Sequence, residues 1–238
     1  MPNDLGLYAR EPTDGTRGRD HVGVPPSPAE RRLEVEAERI AGWLDRFAGR
    51  HGPTSWTTAG NAVDVTAEDG AVARCEVPFP PLLVDDNAPY GGLAGHACTD
   101  RRVGVLLVRL GGFAAGVFEG RELLTSKVGS RQVHGRSAAG GWSQQRFARR
   151  REGQVRVAQV AAADVAARVL VPVAATLDAV VLGGDRRTVE AVMADDRLKP
   201  LRALVQERWL DVPDPKLKVL QSTPAAFRAV RIRLHEPS

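Results

Sequence analysis

The almost unbroken apolar run at residues 103–110 constrains the fold of this chain more than any other segment. A run of this kind is typical of a β-strand that is buried on both faces of its sheet. Gly111 and Gly112 then predict a turn, because glycine tolerates backbone angles that other residues avoid. Residues 113–118 and 123–128 follow as two further predicted strands, so the centre of the chain is predicted to form a three-stranded meander.

The segment before this meander is predicted to contain one helix and two short strands. Ser27 is placed to cap the helix, Pro28 suits its first position and Glu30 completes a capping box. Apolar residues then recur at helical spacing as far as Phe47, and His51-Gly52-Pro53 predicts the end. The remaining predictions here are strands at 61–66 and 71–77 around an Asp-Gly turn, and a loop at 85–101.

The segment after the meander alternates helices with strands. The predicted elements are a helix from about residue 143 to Pro172, a strand at 177–182, a helix capped by Asp185 that runs to Met193, a helix at 198–209 and an edge strand at 230–234. Because strands and helices interleave, the predicted fold class is α/β, with α+β as the alternative, built on a mixed β-sheet with flanking helices.

Composition and pattern divide the chain into three parts. Residues 1–26 are rich in Gly, Pro, Asp and Arg and poor in large apolar residues, which predicts a flexible tail. Residues 27–100 hold the first helix and strands, and they either form a separate domain or pack around the third part. Residues 101–238 contain the meander and the elements that follow it.

Positive charge is concentrated in one window of the chain, residues 127–156. This window holds eight Arg or Lys residues and a single acid, Glu152, so its net charge is +7, whereas the whole chain carries +4. Charge runs on solvated helices usually alternate in sign, and this one does not. The pattern therefore predicts a polyanionic partner, with contact to nucleic acid favoured over a merely solvated helix face.

The same window contains a flexible Gly-Gly turn beside neutral amide side chains. Gly140 and Gly141 allow the backbone to approach another molecule closely, and Gln144 and Gln145 follow them. Glutamine offers one acceptor and two donors and does not titrate. The combination is suited to positioning a water or an ester beside a polyanion rather than to acid–base catalysis.

Conventional enzyme signatures and targeting segments are missing from the sequence. The serines lack a GxSxG elbow, and the histidines show no metal-ligand spacing. Cys75 and Cys98 lack CxxC spacing, so we expect a reducing compartment and neither a metal nor another cofactor. The chain has no apolar signal core and no run that is long enough to cross a bilayer, so it is predicted to be cytoplasmic without membrane contact.

Short motifs in the basic window resemble those of a known family. His134-Gly135-Arg136, the Gly140-Gly141 pair and Arg146-Phe147-Ala148-Arg149 resemble the HGR, GGQ and RFAR motifs in the central catalytic domain of the eukaryotic and archaeal class I peptide-chain release factor. The strand, Gly-Gly turn and helix at 179–193 are similar to the next element of that domain. The resemblance implies that residues 101–238 form a release-factor-like catalytic domain with the fold of that family.

One departure from the release-factor pattern narrows the resemblance. When the RFAR motifs are aligned without gaps, the catalytic glutamine of the family falls on Trp142, and Gln144 and Gln145 stand further along. The Gly-Gly-x-Ser-Gln arrangement resembles the release-factor-like peptidyl-tRNA hydrolases of ribosome quality control, relatives of the eukaryotic ankyrin-repeat and zinc-finger peptidyl-tRNA hydrolase. The zinc finger, the ankyrin repeats and a codon-reading domain are absent from this sequence, so we expect a compact bacterial-type version that acts without a stop codon.

This resemblance implies hydrolysis of the ester bond of peptidyl-tRNA on stalled large ribosomal subunits. Gln144 is the candidate for orienting the water or stabilising the oxyanion, and Gln145 is the alternative if the register differs by one. Gly140, Gly141 and Ser143 complete the predicted catalytic loop. The candidates for contact with ribosomal RNA or tRNA are Arg136, Arg146, Arg149, Arg150, Arg151 and Trp142.

Other interpretations of the loop stay open at this stage. A nuclease of the same fold could cut the tRNA near its 3′ end, although the sequence offers no acidic cluster for Mg²⁺ near the loop. A non-catalytic module could occupy the ribosome or bind RNA without turnover. An ordinary flexible loop on a basic domain is the plainest alternative, because Gly-Gly turns and arginine runs are each common.

Overall fold

The computed structural model describes the backbone of residues 30–109, 111–131 and 143–237, and the side chains of the same residues apart from 143–151. In chain order, the helices and strands of this part are β1 (Arg31–Val35), α1 (Ile40–His51), β2 (Thr54–Ala59), β3 (Ala62–Ala67), β4 (Val72–Glu76), α2 (Leu93–Cys98), β5 (Arg102–Arg109), β6 (Gly112–Glu119), β7 (Glu122–Ser130), α3 (Ser143–Leu170), β8 (Ala179–Gly184), α4 (Arg186–Met193), β9 (Val205–Leu210), α5 (Leu217–Phe227) and β10 (Val230–His235). Short 3₁₀ helices lie at Ala37–Arg39, Pro89–Gly92, Val171–Thr176 and Asp196–Leu204.

Antiparallel strands form the first sheet, in the order β1-β10-β4-β3-β2. Apolar and polar residues alternate along β10, so its apolar side faces the core that α1 covers with Ile40, Leu44 and Phe47. The strands predicted at 61–66 and 71–77 are confirmed as β3 and β4.

The second sheet is mixed, in the order β7-β6-β5-β8-β9. The first three strands by position, β7, β6 and β5, form the predicted antiparallel meander, whereas β8 and β9 run parallel to β5. Residues 103–108 of β5 are all buried, which confirms the interpretation of the apolar run. Two sheets with flanking helices make the fold α+β, which was the alternative to the α/β class.

Helix α3 covers the meander with a face of small residues. Ala158, Ala162, Ala163, Ala166 and Leu170 are buried against the second sheet. Alanine lets the helix backbone approach the strands closely, and it carries the highest helix propensity of any residue. Val165 and Val169 on the same helix are half-buried.

Helix α5 joins the two sheets through its last turn. The ring of Phe227 packs edge-on against Phe118 of β6 and against Phe79, with centroid separations of 5.8 and 5.9 Å. The next residue, Arg228, is almost buried, and its guanidinium lies 2.9 Å from a carboxylate oxygen of Glu38 and donates to the Cys98 carbonyl at 3.1 Å. An aromatic contact on one side and charged hydrogen bonds on the other therefore hold the sheets together.

The helix predicted to begin at Ser27 begins instead at Ile40. Residues Arg31–Val35 form β1, which pairs with β10. Leu33 and Val35 fit a strand period, whereas Leu33 and Ala37 fit a helical one, so the sequence pattern alone does not separate the two. Pairing with a distant strand decides the matter, because it satisfies the backbone hydrogen bonds of the segment.

Two further predictions along the chain are wrong. Residues 198–209 do not form one helix, because a 3₁₀ helix that contains Pro200 ends at Leu204 and β9 follows. Proline removes an amide donor and breaks the helical repeat, and β9 gains hydrogen bonds from β8. The loop predicted at 85–101 contains α2, and α5 has no counterpart among the predicted elements.

The last strand is central in its sheet and is not the predicted edge strand. β10 lies between β1 and β4, so both of its edges are paired. Residues 230–235 therefore complete the sheet of the N-terminal part, although they lie within the range predicted for the third part. The boundaries at residues 26 and 100 themselves stay predictions.

Candidate functional site

The segment with the Gly-Gly turn begins at the carboxyl edge of the second sheet. β8 is parallel to β5, and β9 is parallel to β8. β7 has the same direction as β5, because β5 and β7 are both antiparallel to the strand between them, β6. Arg131, directly after β7, donates its amide to the Gly111 carbonyl at 2.8 Å, which fixes it beside the β5–β6 turn. Residues 132–142 thus connect this edge to the first residue of α3.

Helix α3 is longer than the sheet it covers. Its last residue packs at the start of β5, where Leu170 lies 3.3 Å from the position of a Cβ on Gly104. A helix of 28 residues is ~42 Å long, whereas a strand of 8 residues is ~26 Å long. Residues 152–157 are all at least partly exposed, and Ala158 is the first buried residue within the part whose side chains are described. The beginning of α3 therefore extends past the carboxyl edge.

The predicted site residues divide into two groups. Arg136, Gly140, Gly141 and Trp142 lie outside the described residues. Ser143, Gln144, Gln145, Arg146, Arg149, Arg150 and Arg151 belong to the helical backbone of α3, and their side chains are not described. The predicted beginning of a helix near Ser143 is confirmed, and the roles of all these residues stay predictions.

Sequence analysis missed a second set of basic residues at the same edge. Arg109 ends β5 and donates through Nη1 to the Val212 carbonyl at 2.6 Å. Arg186, at the start of α4, stacks on Trp209 of β9 with its guanidinium carbon 4.5 Å from the ring centroid. The indole of Trp209 in turn donates to the Gly184 carbonyl at 3.1 Å. The sequence signal that could have found this set is Arg109, a charged residue at the end of an apolar strand.

Two glycines bring the strands together at this edge. Gly184 has φ of +100°, and a Cβ there would lie 2.1 Å from the Val108 carbonyl oxygen. At Gly183 a Cβ would lie 2.7 Å from the carbonyl oxygen of Leu210. Only glycine fits these contacts, so the Gly-Gly pair is required for the close approach of β8 to its neighbours.

Asp185 caps α4, as the sequence predicts. Its carboxylate accepts a hydrogen bond from the Thr188 amide at 2.9 Å. Hydrogen bonds from the Thr188 side chain and amide hold the pKa of Asp185 below its usual range, and the nearby charges of Arg109 and Arg187 add to the shift. This carboxylate is therefore ionised near neutral pH, and its hydrogen bonds are made to the first turn of α4.

A family model matches residues 101–233, which is more than half of the chain. Its description is Actinobacteria/chloroflexi VLRF1 release factor. The chain belongs to this release factor family. The matched range contains the second sheet, the segment at 132–142 and α3, so the resemblance to release factors is confirmed, and a role in translation termination or ribosome rescue follows from the family.

Solved structures give more distant similarities, and no curated protein matches the chain. An archaeal translation termination factor, aRF1, is 17% identical with a TM-score of 0.41, covering 79% of this chain and 55% of its own. The Vms1 mitochondrial localization core is 10% identical with a TM-score of 0.41, covering 75% of this chain and 77% of its own. A structure described as an archaeal protein is 14% identical with a TM-score of 0.37, covering 85% of this chain and 67% of its own. The chain thus spans about half the length of the archaeal termination factor.

Three chemical alternatives to a release-factor loop, which are a metal site, a thiol nucleophile and a carboxylate that exchanges protons, find no support among the described residues. No group of three His, Cys, Asp or Glu residues in that part of the chain is placed to hold a metal ion. Burial raises the pKa of the Cys75 thiol to about 12, so this thiol is not a nucleophile near neutral pH. Asp195 caps a 3₁₀ helix, and hydrogen bonds from Arg197 lower its pKa to about 2.

One helical stretch corrects the expectation that no segment is long enough to cross a bilayer. Residues 152–176 reach a membrane-spanning length with a mean hydropathy of 1.6, by length and composition alone. In this protein, the alanines of the same stretch pack against the second sheet. Sheet-covering helices of folded domains commonly meet this criterion, so the stretch is weak evidence for a membrane span.

Proposed function

We propose that the protein hydrolyses the ester of peptidyl-tRNA on stalled large ribosomal subunits and releases the nascent chain without a stop codon. The observation that carries the proposal is the family match, which includes the whole Gly-Gly-x-Ser-Gln segment. In this proposal the chain is a compact relative of the ankyrin-repeat and zinc-finger hydrolase, and residues 101–238 are its catalytic domain. Its partners are the large subunit and peptidyl-tRNA, which would place it in the cytoplasm.

The reaction needs a positioned water rather than a covalent enzyme intermediate. The water oxygen attacks the ester carbonyl carbon, the bond to the tRNA 3′ oxygen breaks, and that oxygen gains a proton. The products are a free peptide carboxyl group and tRNA. Gln144 is proposed to orient the water or to donate to the developing oxyanion, which are the two contributions a neutral amide can make.

The described residues on either side of the loop are compatible with a substrate that lies in a narrow RNA cavity. Arg131 lies at the sheet edge, and α3 extends beyond that edge before Ala158, the first buried residue among its described side chains. Gly140 and Gly141 would let the backbone enter the cavity, while Arg136, Arg146, Arg149, Arg150 and Arg151 would contact phosphates. Trp142 would stack on a base or a ribose.

A single-turnover release assay tests the proposal. Large subunits that carry labelled peptidyl-tRNA are mixed with excess protein, and the free peptide is measured against time. Gln144→Ala should slow release by at least about 100-fold, because it removes a donor that acts in the transition state. Binding of the variant to the subunits should be unchanged.

The same assay separates the alternatives. Gln145→Ala is the matched control, and loss of activity in this variant alone would shift the catalytic register by one residue. The tRNA product is examined on a gel, where intact tRNA supports ester hydrolysis and shortened tRNA supports a nuclease. Binding of the wild-type protein without any release would identify a non-catalytic module and overturn the proposal.

A further inference from the structure

We infer that the carboxyl edge of the second sheet is an RNA-binding surface of its own, beside the segment with the Gly-Gly turn. The carboxyl-edge surface consists of Arg109, Arg131, Arg186, Arg187 and Lys216, together with Trp209. This inference rests on the proposed function, because it assigns a second contact to the RNA that surrounds the same site.

The tertiary structure brings these residues together from four separate segments of the chain. Arg131 is fixed to Gly111, and Arg109 binds the Val212 carbonyl of the loop before α5. Pro215 of that loop lies 3.3 Å from the position of a Cβ on Gly112, which places Lys216 beside the same turn. The five strands of this sheet span ~19 Å at their edge, which suits a chain of phosphates better than a single ion.

The cations of this surface form no direct salt bridge with a carboxylate among the described residues, although the charge of Asp185 is near Arg109 and Arg187. All five are exposed, and none of them forms a salt bridge with any residue in the described part of the chain. Acids are present nearby, but Asp185 is occupied as the cap of α4. Asp211 and Asp214 lie on the loop before α5. Even with these two and Asp185 counted, the five cations outnumber the acids of this surface.

Arginines elsewhere in the molecule are used differently. A cavity of about 500 Å³ between the two sheets is lined by Arg74, Arg231 and Arg233 among others. Arg74 lies 2.7 Å from Asp64, Arg233 lies 3.1 Å from Glu76, and Arg231 lies 2.8 Å from Glu34. These guanidinium groups are neutralised within the protein, so they lack the free charge of the carboxyl-edge surface.

The stacked pair of Arg186 and Trp209 favours RNA over an acidic protein as the partner. The guanidinium carbon of Arg186 lies 4.5 Å from the centre of the indole, so a cation–π contact restricts this side chain, and its N–H donors suit the oxygens of a phosphate. The basic window at residues 127–156 begins in β7 of the same sheet and adds further arginines along the sequence. The RNA contact proposed here would then adjoin the one proposed for the catalytic loop, which follows β7 in the chain.

The test compares two double variants that remove the same charge. Arg186→Gln with Arg187→Gln should weaken binding to large subunits that carry peptidyl-tRNA by about tenfold or more, and it should reduce the slope of log Kd against log salt concentration by about 1 to 2. Arg31→Gln with Arg32→Gln is the control, because both arginines are exposed and each is paired with a glutamate. The control should bind as the wild type does, and equal losses in both pairs would overturn the inference.

Further measurements distinguish loss of binding from loss of folding or of catalysis. Arg187→Gln alone leaves the Arg186–Trp209 stack intact and should still lower the salt slope by about 1. At saturating protein the double variant should release peptide at the wild-type rate, whereas Gln144→Ala binds and fails to release. If the wild-type protein bound the subunits without releasing peptide, the proposed function would be wrong, but the inference of an RNA-binding surface would be unaffected.

The class of partner is identified by crosslinking. A photo-crosslinker attached through Arg187→Cys, in a Cys98→Ser background that leaves only the buried Cys75, should yield adducts with ribosomal RNA or tRNA. Adducts with ribosomal protein alone would contradict the assignment to RNA.

Discussion

Gly184 illustrates how a single residue sets the geometry of the candidate site. Its φ is positive, and a Cβ atom there would lie 2.1 Å from the Val108 carbonyl oxygen, so no space is left for a side chain against this backbone atom. The strands β5 and β8 could accept a methyl group there only by separating. The residues that follow, Asp185 to Arg187, would then lose their position at the carboxyl edge.

Gly184→Ala should therefore destabilise the protein by at least ~2 kcal/mol, from backbone strain together with the contact with β5. The measurement is the free energy of unfolding from urea denaturation. Gly153→Ala is the matched control, because Gly153 lies in α3 with no atom within 4 Å of its Cβ position. That variant should be stabilised by ~0.5–1 kcal/mol, and a similar loss in both variants would contradict the argument.

Among the elements, α4 depends on one side chain for its beginning. Asp185 accepts hydrogen bonds from Thr188, and these bonds lower the pKa of its carboxyl group. A group with a lowered folded-state pKa stabilises the fold above its unfolded-state pKa, and it loses this contribution as pH falls through the folded-state value. The cap should therefore act fully at neutral pH and weaken in acid.

Asp185→Ala should lower the free energy of unfolding by ~1 kcal/mol at pH 7. The difference from the wild type should shrink as the pH falls below the ordinary carboxyl range. Asp185→Asn keeps a capping oxygen without a titrating group, so this variant should stay close to wild-type stability. A pH-independent deficit in Asp185→Ala would show that the residue acts by another route.

The elements also show why pairing decides what local pattern leaves open. β1 and β9 were both expected to be helical, and both became strands because a distant strand supplies their hydrogen bonds. In contrast, β5 and the beginning of α4 were predicted correctly, because a buried apolar run and a capping aspartate act within a few residues. Local signals of this kind survive in any tertiary context.

At the scale of the whole molecule, arginines that are paired with carboxylates and cations that form no salt bridge lie on different surfaces of the described residues. Most arginines of the first sheet are paired with glutamate or aspartate. The five cations of the carboxyl-edge surface form no salt bridge within the described residues, and the basic window at residues 127–156 begins in β7 of the same sheet. This distribution predicts that binding to a ribosome depends strongly on salt.

Replacing Arg149, Arg150 and Arg151 by alanine should weaken binding to large subunits and reduce its salt slope by about 2, the value for three lost phosphate contacts with single-stranded RNA. Binding is measured at several salt concentrations. The triple variant of Arg31, Arg32 and Arg39, which loses the same charge at another surface, should behave as the wild type does. A wild-type affinity that does not change with salt would argue against phosphate contacts altogether.

The sequence by itself determined the family resemblance, the buried strand β5, the cap of α4 and the helix that begins near Ser143. Each of these features depends on residues that are neighbours in the chain, so the interactions that cause it can be recognised from the sequence alone. Only the tertiary structure decided that β10 lies inside the first sheet, that α3 extends beyond the second, and that Arg109, Arg131 and Arg186 share one edge. Those outcomes depend on hydrogen bonds and packing between segments far apart in the chain, and no local period or motif records which partner a strand will choose.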